Sequence, residues 1–291
     1  MTLKREAISL YDRFTHGVLE RREFMARMVA LTGSVAAANA LIGTIAARAD
    51  ARPLIAANDK RIRTSTVDLL ALRKTPPYKA YVAEPVRDRA RPTVLVIHEN
   101  RGLNEHTRDV ARRLAVAGFI AYAPDFLSPV GGTPADEDQA REAIGKLDLT
   151  AAVAAAVDMF GESRARLDGS SKVGVVGFCW GGGMVNRIAV SAGDKLDAGV
   201  VYYGPAPSLA EAVRVEAPLL IHLAGLDTRI AETEFPWISA LRAAGKRVTY
   251  FDYPNVNHAF NNDTSAERFD KAAADLAWGR TLRFFRRHLG A

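Results

Sequence analysis

An α/β fold, with a mostly parallel central sheet flanked by helices on both faces, is predicted by two patterns in this 291-residue chain. Short β-rich runs alternate with longer helical patterns from about Asp68 onward. Several of the runs are continuously apolar, as strands covered on both faces must be. At 48% apolar and 25% charged residues, the chain has material for a full core: one domain plus a short extension.

Taken in order, the first fifty residues stand apart from the rest. A polar stretch runs through Glu20; Arg21, Arg22, Glu23, Phe24 and Met25 follow, then an alanine-rich apolar run over 28–47. This order matches a twin-arginine export signal, with small residues at Ala47, Ala49 and Ala51 where a peptidase could cut, and it predicts a periplasmic or secreted protein. The competing reading is an amphipathic helical extension, beginning over 6–19, that packs on the domain and stays with a cytoplasmic protein. Thr32, Gly33, Ser34, Asn39 and Gly43 interrupt the apolar run, so it makes a poor membrane span.

Residues 51–291 then form the α/β domain. Strands are predicted over 78–84, 93–98, 120–123, 173–178, 198–202, 219–223 and 247–251. Helices are predicted over 104–117, 149–166, 182–191 and 232–244, with a closing helix over 265–289. The formal charge of +6 is spread along the chain, without basic blocks or interleaved aromatics. That argues against nucleic-acid binding and leaves room for long-range steering of small anions. Cys179 is the only cysteine, which rules out an intrachain disulfide and an all-cysteine zinc site. It is therefore either an apolar filler or a reagent.

Gly177-Phe178-Cys179-Trp180-Gly181 spells G-x-C-x-G between an apolar strand and a helical pattern, the strand-turn-helix context of a nucleophile elbow. Flanking glycines allow the close approach such a turn requires. A thiol at a helix N-terminus also gains thiolate character. The alternative is a tight glycine turn around a buried cysteine.

An α/β-hydrolase presents nucleophile, acid and histidine in that chain order, each at the carboxyl end of a strand. Here Asp227 follows the strand over 219–223, and His258 follows the last predicted strand. His258 would take the thiol proton and Asp227 would fix its tautomer. Singly, Asp227 reads equally well as a helix cap and His258 as a polar loop residue. The strand over 93–98 runs into Glu99-Asn100-Arg101-Gly102, where backbone amides of Asn100 and Trp180 are the natural oxyanion donors.

Glu99 with Arg101-Gly102, the Gly-Phe-Cys-Trp-Gly-Gly turn, Tyr202-Tyr203-Gly204, Gly225-Leu226-Asp227 and Asn257-His258-Ala259-Phe260 together resemble the dienelactone hydrolase family. The resemblance covers roughly 68–289. It implies an α/β-hydrolase fold, hydrolysis of a lactone or activated ester through an acyl-cysteine, and no metal or cofactor. It also implies that Glu99 holds the resting thiol neutral and takes its proton when substrate binds; a salt bridge from Glu99 to Arg101, Arg112 or Arg113 is the alternative.

Members of the family bind the substrate carboxylate with arginines, one of them shortly after the catalytic histidine. Here Asn261, Asn262 and Asp263 stand in that stretch. Arg101 and Arg141 are the remaining candidate anion anchors, with Tyr202 and Tyr203 as pocket-lining candidates. The expected activity is a cysteine-dependent hydrolase of a small ester or lactone. The alternatives are a broad esterase, a thioester or peptide hydrolase using the same triad, and a non-catalytic binding relative. A redox-sensing thiol is disfavoured because Cys179 has no resolving partner.

Overall fold

The computed structural model describes residues 2–46, 53–70, 77–86, 91–165 and 171–290. Eight strands form one sheet: β1 (Ile62–Leu69), β2 (Tyr78–Pro85), β3 (Thr93–Ile97), β4 (Ile120–Pro124), β5 (Val173–Phe178), β6 (Ala198–Tyr202), β7 (Leu219–Ala224) and β8 (Val248–Tyr253). Their order across the sheet is β1-β2-β4-β3-β5-β6-β7-β8. β1 and β2 pair antiparallel, as do β2 and β4, and every later neighbour is parallel. This is the α/β-hydrolase arrangement.

The continuous apolar runs behave as expected: β3 to β7 are buried along their whole length. Alternate residues feed the two faces. Val173 and Val175 join one apolar cluster with Met184, Ile188 and Trp237, whereas Val176 and Phe178 join another with Val110, Leu114, Ala277 and Phe285. The covering helices are α4 (Glu105–Val116), α5 (Glu137–Gly145), α6 (Leu149–Ala165), α7 (Trp180–Ala192), α8 (Thr228–Ala243) and α9 (Lys271–Leu289).

Three elements depart from the expectation. β1 was not anticipated, because only its end residues Ile62 and Leu69 are buried and its middle reads as polar loop; an antiparallel edge strand tolerates that. α5 was not anticipated as an element either. The closing helix begins at Lys271, not at 265, because Asp270 caps it by accepting from the Ala273 amide at 2.9 Å. Residues 265–270 are thereby left as a loop, in which Ser265 and Arg268 donate to the Ile45 carbonyl at the end of the N-terminal segment.

Ahead of the sheet lie α1 (Leu3–Thr15), α2 (Arg21–Thr32) and α3 (Val35–Ile45). They share an apolar cluster of their own, built on Ile8, Tyr11, Phe14, Phe24, Met28 and Ile45. Thr2 and Ser34 cap α1 and α3. No single helix among the described residues is long and apolar enough to cross a membrane. The predicted cleavage region at Ala47, Ala49 and Ala51 lies outside the described residues.

Candidate active site

The site is assembled at the carboxyl ends of β5, β7 and β8. β5 ends at Phe178, and Cys179 takes φ 54° and ψ −114° before α7 opens at Trp180. That backbone is costly for a non-glycine residue and is held by its surroundings. The Cys179 amide donates to the Tyr202 carbonyl at 3.0 Å. The flanking glycines are sterically required: a Cβ on Gly177 would lie 2.1 Å from the Gly181 carbonyl oxygen, and one on Gly181 would lie 2.5 Å from the carbonyls of Ile97 and His98.

Asp227 follows β7 and serves two elements. Its Oδ1 accepts from the Ile230 amide at 3.3 Å, capping α8, while Oδ2 accepts from His258 Nδ1 at 2.5 Å. Cap and acid are thus one carboxylate. His258 Nε2 is buried with no hydrogen-bond partner among the described residues, and a ring nitrogen of His258 lies within 4.8 Å of the Cys179 sulfur. Ala259 behind it has φ 64°, turning the chain so that Phe260 packs against Tyr203.

Burial alone would push the Cys179 thiol up, but the imidazoles of His16 and His258 outweigh it and bring the group down to about 6. For His258, burial would lower the imidazole, and the charges of Cys179 and Asp227 instead raise it to about 10. Asp227 is held below the usual carboxylate range: burial opposes this, and His258 and Arg229 override it. Both shifts favour the thiolate–imidazolium form of the pair over thiol and neutral imidazole.

His16 was not anticipated by sequence reasoning. From the end of α1 its Nε2 lies 3.2 Å from the Cys179 sulfur, and its ring stands edge-on to His258 with centroids 4.8 Å apart. No local pattern could have linked a histidine in a polar leader to a cysteine 163 positions away.

The other predicted residues distribute as follows. Glu99 is buried, but it accepts from Asn262 Nδ2 at 3.0 Å and its second oxygen is unpartnered. It forms no hydrogen bond with the thiol and no salt bridge with Arg101, Arg112 or Arg113 among the described contacts; the thiol's partner is His16.

Trp180 opens α7, where its amide has no intrahelical acceptor. Its indole stacks on His98, centroids 5.3 Å apart. Asn100 follows β3, and its side chain donates to the Thr15 carbonyl of α1 at 2.9 Å.

Neither proposed arginine points at the sulfur. Arg101 pairs with Glu137 and Tyr11, and Arg141 stacks on Phe14 at 4.4 Å and reaches Asp138. Tyr202 is withdrawn into the core, its hydroxyl 2.8 Å from Thr281. Tyr203 does face the site: its ring lies 4.9 Å from that of His258, and its buried hydroxyl has no hydrogen-bond partner among the described residues.

A second residue was missed for a definable reason. Arg268 is 7% exposed, donates through Nε to the Ile45 carbonyl at 3.1 Å, and is held charged: burial disfavours the cation, and Asp12, Tyr11, Glu99 and Cys179 outweigh burial. Placing it inside the predicted helix over 265–289 hid it; in the capped loop it bonds Ile45, Ser265 and Asp12, and the charges of Glu99 and Cys179 act on it. Between α1 and the acid and base loops lies a cavity of about 450 Å³, lined by Arg5, Ile8, Arg13 and Arg229 and reaching His258.

The elbow, the capped acid and the histidine after β8 all fall inside a segment, residues 78–289, that matches the model of the dienelactone hydrolase family. The chain belongs to that family. A candidate carboxymethylenebutenolidase from Methylorubrum extorquens is 32% identical over 230 residues, covering 72% of this chain and 76% of the relative. A similarly named protein from Escherichia coli K12 is 30% identical over 226 residues, covering 72% and 83%. Among solved structures, a candidate dienelactone hydrolase from Klebsiella pneumoniae superposes with a TM-score of 0.68 at 28% identity, covering 78% of this chain and 99% of that one. As a dienelactone hydrolase family member, the protein is a carboxylic-ester hydrolase acting on small lactones or esters.

Proposed function

We propose that the protein opens a small lactone or carboxylic ester through an acyl-cysteine formed on Cys179. The reading is carried by the short Asp227–His258 contact of 2.5 Å, which leaves His258 Nε2 unpaired and close to a sulfur on a strained elbow. The thiolate attacks the carbonyl carbon, and the amides of Trp180 and Asn100 receive the oxyanion. As the carbon–oxygen bond breaks, His258 gives its proton to the leaving alkoxide, which stays tethered when the substrate is a lactone. Water then attacks the thioester, His258 takes its proton, and collapse of the tetrahedral intermediate breaks the carbon–sulfur bond, releasing the carboxylic acid and re-forming the thiolate beside the imidazolium.

Asp227 holds the imidazole tautomer and stabilises its cation. Arg268 serves as the anion anchor in place of the arginine the family carries nearer its histidine, and Tyr203 lines the acyl pocket. Glu99, held by Asn262, sets the charge beside Arg268. In a p-nitrophenyl acetate assay, Cys179→Ala abolishes turnover and Cys179→Ser leaves a small residue of it. Full turnover by the alanine variant would remove Cys179 from the chemistry.

A further inference from the structure

No step of the ester chemistry uses His16, yet it completes a cluster with a chemistry of its own. His16 Nε2, Cys179 Sγ and His258 Nε2 or Nδ1 belong to a donor set whose atoms lie within 4.8 Å of one another, and the His16–Cys179 edge is 3.2 Å. The His16 Nδ1 sits 2.6 Å from the Asp12 carbonyl oxygen, which can only accept, so Nδ1 carries a hydrogen and Nε2 is the nitrogen that faces the sulfur. His258 is arranged alike: Nδ1 donates to Asp227, and buried Nε2 has no hydrogen-bond partner.

Each imidazole therefore has its outer nitrogen anchored to an oxygen and its inner nitrogen turned toward one thiolate. This is the outer-shell pattern of metal-ligating histidines. A tetrahedral zinc ion, about 2.0–2.1 Å from nitrogen and about 2.3 Å from sulfur, spaces such donors roughly 3.3–3.7 Å apart. The cluster needs only a small adjustment to reach that. Two imidazoles and a thiolate suit a borderline-soft d¹⁰ ion, and hard oxygen-seeking cations are excluded. Asp227 bonds His258 directly, and the carboxylates of Asp227 and Asp12 are in turn paired with Arg229 and Arg268.

We propose that His16, Cys179 and His258 form a binding site for one Zn²⁺, assembled only while α1 is docked, and that the bound ion arrests hydrolysis by occupying nucleophile and base together. A fourth position is left for water. The ion also fastens α1 over the sulfur, so that the N-terminal helix is both ligand donor and cover.

The test uses the full-length chain, with Zn²⁺ titrated against a chromophoric chelator and Co²⁺ as a spectroscopic substitute. The wild type should bind one Zn²⁺ per chain, with Co²⁺ giving a thiolate charge-transfer band in the near ultraviolet. His16→Ala and His16→Gln should each weaken binding at least tenfold, and Cys179→Ser should abolish the band. Zinc should inhibit ester turnover in the wild type, reversibly with chelator, at concentrations at least tenfold below those needed in the His16 variants.

Equal affinity in the His16 variants, or no stoichiometric binding by the wild type, would overturn the proposal. Metal titration needs no turnover, and turnover in chelator needs no metal. Failure of this site and failure of the hydrolase reading are therefore separately visible.

Discussion

The triad and the helix that covers it are held in place by different physics. Asp227 and His258 sit at the ends of neighbouring parallel strands, β7 and β8, whose register runs from Leu219 opposite Val248 to Ala224 opposite Tyr253. Displacing them means breaking the sheet. The N-terminal helices have a separate apolar cluster and meet the domain through polar contacts: Asn100 to Thr15, Arg141 to Phe14, Ser265 and Arg268 to Ile45, Arg21 to Asp138. Each such contact contributes about 0.5–1.5 kcal/mol net, and the exposed ion pairs less. The triad is thus fixed by sheet register, whereas α1 is held to the domain largely by side-chain contacts. Cys179 is only 5% exposed, with His16 from the end of α1 against its sulfur.

The rigid half is broken most severely by removing the acid. Asp227→Asn should lower kcat/KM for p-nitrophenyl acetate by roughly 10²–10⁴-fold, since the imidazole loses both its tautomer and its counter-charge. The same variant leaves Oδ1 to cap α8, so its thermal midpoint should move by only a few degrees. A large loss of stability with little loss of rate would make Asp227 a cap alone.

An intermediate effect is expected where the two regions meet. Arg268→Gln should raise KM for an ester bearing a free carboxylate by roughly 10–100-fold, the worth of a charge-assisted hydrogen bond, and change KM for a neutral ester little. Equal effects on both substrates would show that Arg268 only fastens the Ile45 carbonyl.

The smallest effect sharpens the docking side of the comparison. Arg141→Gln removes a cation–π contact and a weak hydrogen bond to Phe14, and should speed iodoacetamide labelling of Cys179 several-fold without altering the melting of the sheet domain. Unchanged labelling would mean that α1 is not the barrier to the sulfur.

The same division decides what was legible in the sequence. Strands β3 to β7 announced themselves because double coverage makes them continuously apolar, and the chemistry fell after β5, β7 and the half-exposed β8, so Cys179, Asp227 and His258 could be placed together before any coordinates. β1 was hidden by a polar middle that only an edge strand explains. Arg268 was hidden by a helix boundary, six residues out, that hangs on the Asp270 cap. His16, and the diversion of Arg101 and Arg141 onto α1, were beyond sequence reasoning, because polar docking between two separately packed units leaves no periodicity to read. The same diversion explains why neither arginine reaches the thiol.

The convergence of sulfur, imidazole and carboxylate is tested most directly by the ultraviolet absorbance of the Cys179 thiolate against pH. It is measured in chelator with Cys179→Ser subtracted, and the chain has no other cysteine to confuse it. The thiolate exists above its own midpoint and is lost as pH falls through it, so the wild type should titrate near 6. His258→Ala should move that midpoint up toward the ordinary thiol value of about 8.5. A wild-type midpoint already at the ordinary value, indifferent to the loss of His258, would contradict the shared site.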